Sequence, residues 1–149
     1  MTDTEPDIDA ARIRALSAGL NPFRPRISHV SYYVRDADRA LDFYVGVLGM
    51  EEQMRVDVEH GEQEIVLGFP ESKGAGLILM VAPQRDSAYQ LGDGYSRLLI
   101  RVGDVDAAVA HLVRHGAALE APVQEAELVR FALIRDPEGY LIELMQVKR

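Results

Sequence analysis

Two short stretches of the chain carry side chains that can do chemistry, and they match each other. In Arg26-Ile27-Ser28-His29-Val30-Ser31-Tyr32-Tyr33-Val34-Arg35-Asp36, the period of a strand puts His29, Ser31 and Tyr33 on one face. An imidazole in such a place can serve as a general base, an acid or a metal ligand. The second stretch, Arg97-Leu98-Leu99-Ile100-Arg101-Val102-Gly103-Asp104, has arginine where the first has histidine. Arg97 and Arg101 share a face, and two guanidiniums together suit a carboxylate or a phosphate. The plainer alternative is that Arg101, nearer the strand end, is simply solvated.

Other reactive residue types are weaker signals. His111 and His115 are four apart on a helical pattern, but no His-Glu-x-x-His motif surrounds them. They read as a solvated flank, with His115 favoured in a last turn by the helix dipole. His60 stands before Gly61 in a turn, and Glu125 with Glu127 reads as an exposed loop pair. The chain has no cysteine, which excludes disulfides, thiolate catalysis and cysteine metal sites. It has no glycine loop for phosphates and no nucleophile elbow of the Ser-His-Asp kind.

The elements that must position these residues follow from composition and punctuation. With 149 residues, 48% hydrophobic and 27% charged, the chain has the make-up of one globular domain. Its net charge of −8 argues against general nucleic-acid binding, which needs a basic face. The acidic start, Met-Thr-Asp-Thr-Glu-Pro-Asp, lacks the apolar core of a signal peptide, and no run is apolar enough for a membrane span. A soluble, cytoplasmic protein is the expectation. Residues 1–26 read as an appendage: a helix capped by Thr4, with Ile13, Leu16 and Leu20 as its apolar stripe, then a connector held extended by Pro22 and Pro25.

The body, 27–149, reads as two modules of the same order, about 27–82 and 96–149. In the first, Asp36 or Asp38 caps a helix over 39–48 that buries Leu41, Tyr44, Val45 and Leu48 and stops at Gly49. Strands follow over 51–58, 64–69 and 76–81. The loop 82–96 is long for a compact domain, so it is a linker between modules or the edge of a pocket. The second module repeats a strand over 97–102, then a helix capped by Asp104 or Asp106 that buries Val105, Val109, Leu112 and Val113. Strands over 118–124, 128–134 and 140–147 complete it. Aligning Gly76-Leu77-Ile78-Leu79-Met80 with Tyr140-Leu141-Ile142-Glu143-Leu144 pairs Leu79 with Glu143, as His29 pairs with Arg97. A βαβββ module leaves one sheet face uncovered, so two modules should pair around a shared cavity.

On Ile27-Ser28-His29-Val30, Leu41-Asp42-Phe43-Tyr44, Val47-Leu48-Gly49-Met50 and Asp136-Pro137-Glu138-Gly139-Tyr140-Leu141-Ile142-Glu143-Leu144, the chain resembles the vicinal oxygen chelate superfamily. The likeness is to its glyoxalase, bleomycin-resistance and dioxygenase branch. It implies an α+β fold of paired βαβββ modules, forming a curved, mainly antiparallel eight-stranded sheet around a cavity. It also implies a metal site with one residue from the first and one from the last strand of each module. Carried onto this chain, those positions are His29, Leu79, Arg97 and Glu143. Two of the four are ligand types; leucine has no donor, and arginine brings a fixed positive charge.

The metal ligands would then be His29 and Glu143 alone, so a divalent metal is the cofactor implied by the family, and its absence is favoured by this set. In the competing reading Arg97 stands in for the metal and pairs with Glu143. The function implied is binding of a small oxygenated, anionic molecule, with lyase or isomerase chemistry as the catalytic form. His29 and Glu143 would be the catalytic groups, and Arg97, Arg101, Tyr33 and Ser31 would contact substrate. The alternative is a non-catalytic sequestering protein of the resistance type, without metal. A homodimer is expected by resemblance, with no nucleic-acid or membrane partner.

Overall fold

Each half of the chain builds the same unit, and the unit begins with a strand that runs into an aspartate cap. The computed structural model describes residues 25–149. The expected N-terminal helix and the connector up to residue 24 lie outside the described residues. In the first half, β1 (His29–Val34) leads to Asp36, whose backbone is extended and whose side-chain carboxylate accepts the Arg39 amide at 3.0 Å. Such a cap contributes on the order of 1 kcal/mol.

α1 (Ala37–Leu41) then widens into a π-helical stretch, Asp42–Val47, where sequence periodicity predicts plain α-helix over 39–48. The wider turn shifts which side chains face inward. Consecutive Phe43 and Tyr44 are both buried, while Leu41, Val45 and Leu48 are only half-buried. Gly49, at φ +79°, ends the helix. β2 (Glu51–Asp57), β3 (Gln63–Gly68) and β4 (Gly76–Val81) follow.

The second half repeats the order with β5 (Leu98–Arg101) and α2 (Val105–Arg114), capped by Asp104 on the Ala107 amide at 3.0 Å. α2 buries Val105 and Leu112; Val113, expected inside, is 49% exposed. The strand expected over 118–124 is instead two short ones, β6 (Ala118–Leu119) and β7 (Gln124–Glu125), both paired with β8 (Val129–Arg135). Pro122 lies between them and has no N–H to give to a ladder. β9 (Leu141–Val147) closes the unit.

Topology confirms the duplication. The first sheet is ordered β1-β4-β3-β2 and the second β5-β9-β8-β6, with β7 also on β8. In each, the opening strand runs parallel to the last one and the remaining pairs are antiparallel. The α+β fold of paired βαβββ units is therefore as expected. Its strands fall in two sheets of four and five, and no ladder joins the sheets among the described residues.

The sheets share one core, built from their helix-bearing sides. Tyr32 of β1 stacks on Tyr140, just before β9, with ring centroids 4.2 Å apart. The helices also reach across: His111 Nε2 of α2 donates to the Val47 carbonyl at 2.9 Å, and the Tyr44 hydroxyl donates to Asp136 at 2.7 Å. Since the helix-bearing sides meet in the middle, the opposite faces of both sheets turn outward.

Strand register corrects one expected position. Leu79 pairs with Tyr32, is fully buried and points into the core, away from the face that carries His29. Ile78, opposite Ser31, occupies the open face, as Glu143 does opposite Leu99. The residue equivalent to Glu143 is therefore Ile78. A slip of one residue along a strand exchanges its two faces, and an unbroken apolar run gives no sign of which face is which.

Candidate functional site

The open face of the first sheet is laid out in cross-strand rows: Ser31–Ile78–Val66–Met54, then Tyr33–Met80–Glu64–Val56. His29 stands above them, opposite Gly76. Its Nδ1 meets the Ser28 hydroxyl at 2.7 Å, which leaves Nε2 to face outward partners. The ring lies flat on the sheet because position 76 is glycine. A Cβ there would come within 2.7 Å of His29 Cδ2 and of the Leu67 carbonyl oxygen.

At the other end, the Tyr33 hydroxyl donates to both Glu62 oxygens, at 3.2 and 3.3 Å. That bond to a carboxylate raises the Tyr33 phenol above its usual range. Tyr89, from the long loop between modules, packs on Tyr33 at 5.5 Å, and Arg85 sits 4.1 Å over the Tyr89 ring. The loop is thus an edge of this face as well as a linker.

The open face of the second sheet carries the rows Leu99–Glu143–Leu133 and Arg101–Met145–Phe131. Glu143 is only 7% exposed, and Arg97 Nε donates to its Oε2 while Nη1 reaches the Ser96 hydroxyl at 3.1 Å. Leu99 and Leu133 flank Glu143 in its row, and Leu99 is 50% exposed. Arg101 is exposed and lines a cavity of about 520 Å³ between the modules, with Leu48, Met50, Leu77, His111 and Leu144.

Within the chain, then, Arg97 and Glu143 meet, and His29, Ser31 and Tyr33 share a face. His29 and Glu143 stand on different sheets whose open faces point outward. His111 and His115 stack at 4.4 Å on α2, but their hydrogen bonds go to backbone carbonyls. Among the described residues, no group of three or more His, Asp or Glu could hold a metal ion. The donor chemistry agrees: Ile78 has nothing to offer a cation, and Glu143 is already engaged by a guanidinium. A four-ligand metal site does not fit the residues present.

Two features escaped sequence reading. The first is a buried hydrogen-bond chain from the Tyr32 hydroxyl to the Tyr44 hydroxyl to Asp136, whose carboxylate also accepts the Glu138 and Tyr140 amides at 2.9 and 2.8 Å. Burial raises the Asp136 carboxyl despite those bonds, and burial pushes the Tyr140 phenol up to about 12. The second is a hollow of about 400 Å³ beside His29, floored by Gly68 and Gly76 and walled by Gln53, Ser72, Lys73 and Arg26. Its signal was present: two glycines at strand ends mark close approach by other groups.

This architecture, twin βαβββ units with open, residue-bearing sheet faces, defines a class of small-molecule proteins. A family model, the Glyoxalase/Bleomycin resistance protein/Dioxygenase superfamily, matches residues 26–144. The chain belongs to that superfamily. A probable lactoylglutathione lyase of Vibrio parahaemolyticus is 32% identical over 83% of this chain and 92% of its own. The trypanothione-dependent glyoxalase I of Leishmania major is 31% identical, with TM-score 0.71 over 82% of this chain and 86% of its own. An antibiotic-binding protein from Streptomyces sp. CB03234 is 28% identical, with TM-score 0.65 over 83% and 97%.

Proposed function

We propose that this chain is a glyoxalase-like protein that binds a small oxygenated anion on its open sheet faces, without a resident divalent metal. The Arg97–Glu143 pair carries the reading, because the guanidinium takes the carboxylate that a metal would need. Ile78, at the other carboxylate position, strengthens it. Ser31 and Tyr33 contact the ligand from the first sheet, and Arg101 from the second. As a lyase or isomerase, the protein would use His29 to move a proton through Nε2, with Glu143 orienting its own face through Arg97. The lactoylglutathione lyases among its relatives support that catalytic form.

The outward faces support a homodimer in which the first sheet of one copy meets the second sheet of the other. Glu64 stands in one face and Arg101 in the other, so the two faces carry opposite charges among apolar side chains. Such an assembly would bring His29 of one copy toward Glu143 of its partner. Among the described residues, no helix is long and apolar enough to cross a membrane. The net charge of −8 supports the absence of a nucleic-acid partner.

Four measurements test the reading. Elemental analysis of purified protein should find no stoichiometric nickel, zinc, manganese or iron; such a metal overturns the metal-free site. Sedimentation should give a dimer. A lactoylglutathione lyase assay should then separate the catalytic form from the second reading, a sequestering protein, which the likeness to the Streptomyces antibiotic-binding protein favours. Ligand-dependent thermal stabilisation without turnover would select the sequestering form.

A further inference from the structure

We propose that the hollow at the His29 end of the first sheet is a subsite for the carboxylate or phosphate group of the ligand, gripped by Lys73 and Arg26 and not by Arg97. The proposal rests on the reading above only in taking this sheet face as a ligand face. The hollow, about 400 Å³, is lined by Arg26, Lys73, His29, Gln53, Ser28 and Ser72, and among the described residues by no carboxylate. In a chain with 24 acidic residues against 16 lysines and arginines, a lining of one sign is a local concentration of positive potential. Neither Lys73 nor Arg26 forms an ion pair among the described residues.

The backbone makes room for this set. β2 shifts register between Glu52 and Met54, and the intervening Gln53 folds its side-chain amide onto Gly68. His29 lies in the same way on Gly76. Two flat-lying polar side chains on a glycine floor leave a shallow bay with hydrogen-bond donors at its walls and two cations at its rim, Lys73 on the turn before β4 and Arg26 before β1. That combination recognises a compact anion.

The other arginines are poorer candidates. Arg97 is committed to Glu143, and Arg101 opens on a mainly apolar cavity whose lining includes Glu71. A third hollow, about 300 Å³, has Arg39, His115 and Arg135 but also Asp42 and Asp136, so its signs cancel. The basic bay meets the apolar cavity along Phe69, Ser72, Ala75 and Gly76, which line both. An anionic group held by Lys73 would therefore place the apolar part of its molecule near Phe69.

The test is a nuclear magnetic resonance titration of the full chain with inorganic phosphate and, separately, with acetate, ionic strength being held constant with chloride. The expected result is saturable shifts at the Gly68, Lys73 and Gly76 amides and the Gln53 side-chain amide. Lys73→Gln should weaken binding about tenfold, and the Arg26→Gln/Lys73→Gln pair should abolish it. Tighter saturation by phosphate or by acetate supports the subsite and says which group it prefers. Non-saturating drift, unchanged affinity in Lys73→Gln, or shifts centred on Arg97 and Arg101 would overturn it. A stoichiometric metal found by elemental analysis, or a monomer found by sedimentation, overturns the reading of the previous section whether or not phosphate or acetate saturates the bay, so the two failures are distinguishable.

Discussion

The two sheets are copies in topology and opposites in chemistry. Where the first opens with His29 resting on Gly76 beside Arg26 and Lys73, the second opens with Arg97 locked onto a nearly buried Glu143. The first three positions of the cross-strand rows correspond, Ser31–Ile78–Val66 with Leu99–Glu143–Leu133 and Tyr33–Met80–Glu64 with Arg101–Met145–Phe131, so the scaffold did not impose the difference; a few side chains did. A duplicated frame fixes where groups can stand, and each half remains free to choose the sign of its charge.

Breaking the second half should cost most. Arg97→Ala leaves Glu143 in an apolar row without its partner, and unpairing a buried carboxylate costs about 3–5 kcal/mol. Arg97 itself is 41% exposed, so solvent screening reduces the expected loss to about 2–3 kcal/mol. Urea unfolding reads it directly, and an unchanged midpoint would mean that the pair is ornamental. Gly76→Ala is the corresponding insult to the first half. Its Cβ would meet the Leu67 carbonyl oxygen, which cannot swing aside, so a loss of about 1–3 kcal/mol is expected, with displacement of the His29 ring. The His29 ring resonances report that displacement; a ring that stays put contradicts the floor assigned to Gly76.

The joint between the halves has its own signature. Burial makes folded Asp136 hold its proton more tightly than the unfolded chain does. Its contribution to stability is therefore present at low pH and falls as pH rises from the ordinary aspartate value, about 4, through the raised one. Asp136→Asn keeps an oxygen for the two amides and removes the titration. Midpoints compared between about pH 4 and about pH 7 should slope downward more steeply in the wild type; parallel curves refute the assignment. The smallest effect is expected from Gly68→Ala, whose Cβ would first meet the movable Gln53 side chain. Stability should change by less than about 0.5 kcal/mol, while saturation by phosphate or acetate weakens. Wild-type affinity in that variant would remove Gln53 from the bay.

Much of this frame was legible in the residues. Aspartate caps, glycine stops and the repeated order of elements rest on local rules, and Asp36, Asp104 and Gly49 obey them. The Arg97–Glu143 contact was accessible because both residues announce their charge. Leu79 was not, since Gly76-Leu77-Ile78-Leu79-Met80-Val81 is apolar on both faces and period two leaves no mark in it. Only the pairing of Leu79 with Tyr32 and of Ile78 with Ser31 tells the faces apart. The π-helical stretch was invisible for a related reason: Phe43 and Tyr44 are both large and apolar, and the choice between them depends on Asp136, far away in sequence. The bay at Gly68 needed the bulge at Gln53, a feature of register that composition does not encode.

β2 carries one more consequence. Every residue of this strand is exposed, and it forms the free border of its sheet. Such a border would ordinarily invite another chain to add a strand and extend the sheet without limit. Here Glu51, Glu52, Arg55 and Asp57 crowd it with charge, Arg55 is tied back to Glu52 at 2.8 Å, and the irregularity at Gln53 throws the ladder out of step. Growth by strand addition is thereby discouraged at this end. The dimer proposed above uses the broad faces instead, and a two-fold pairing of that kind closes after two copies and does not run on into a fibre.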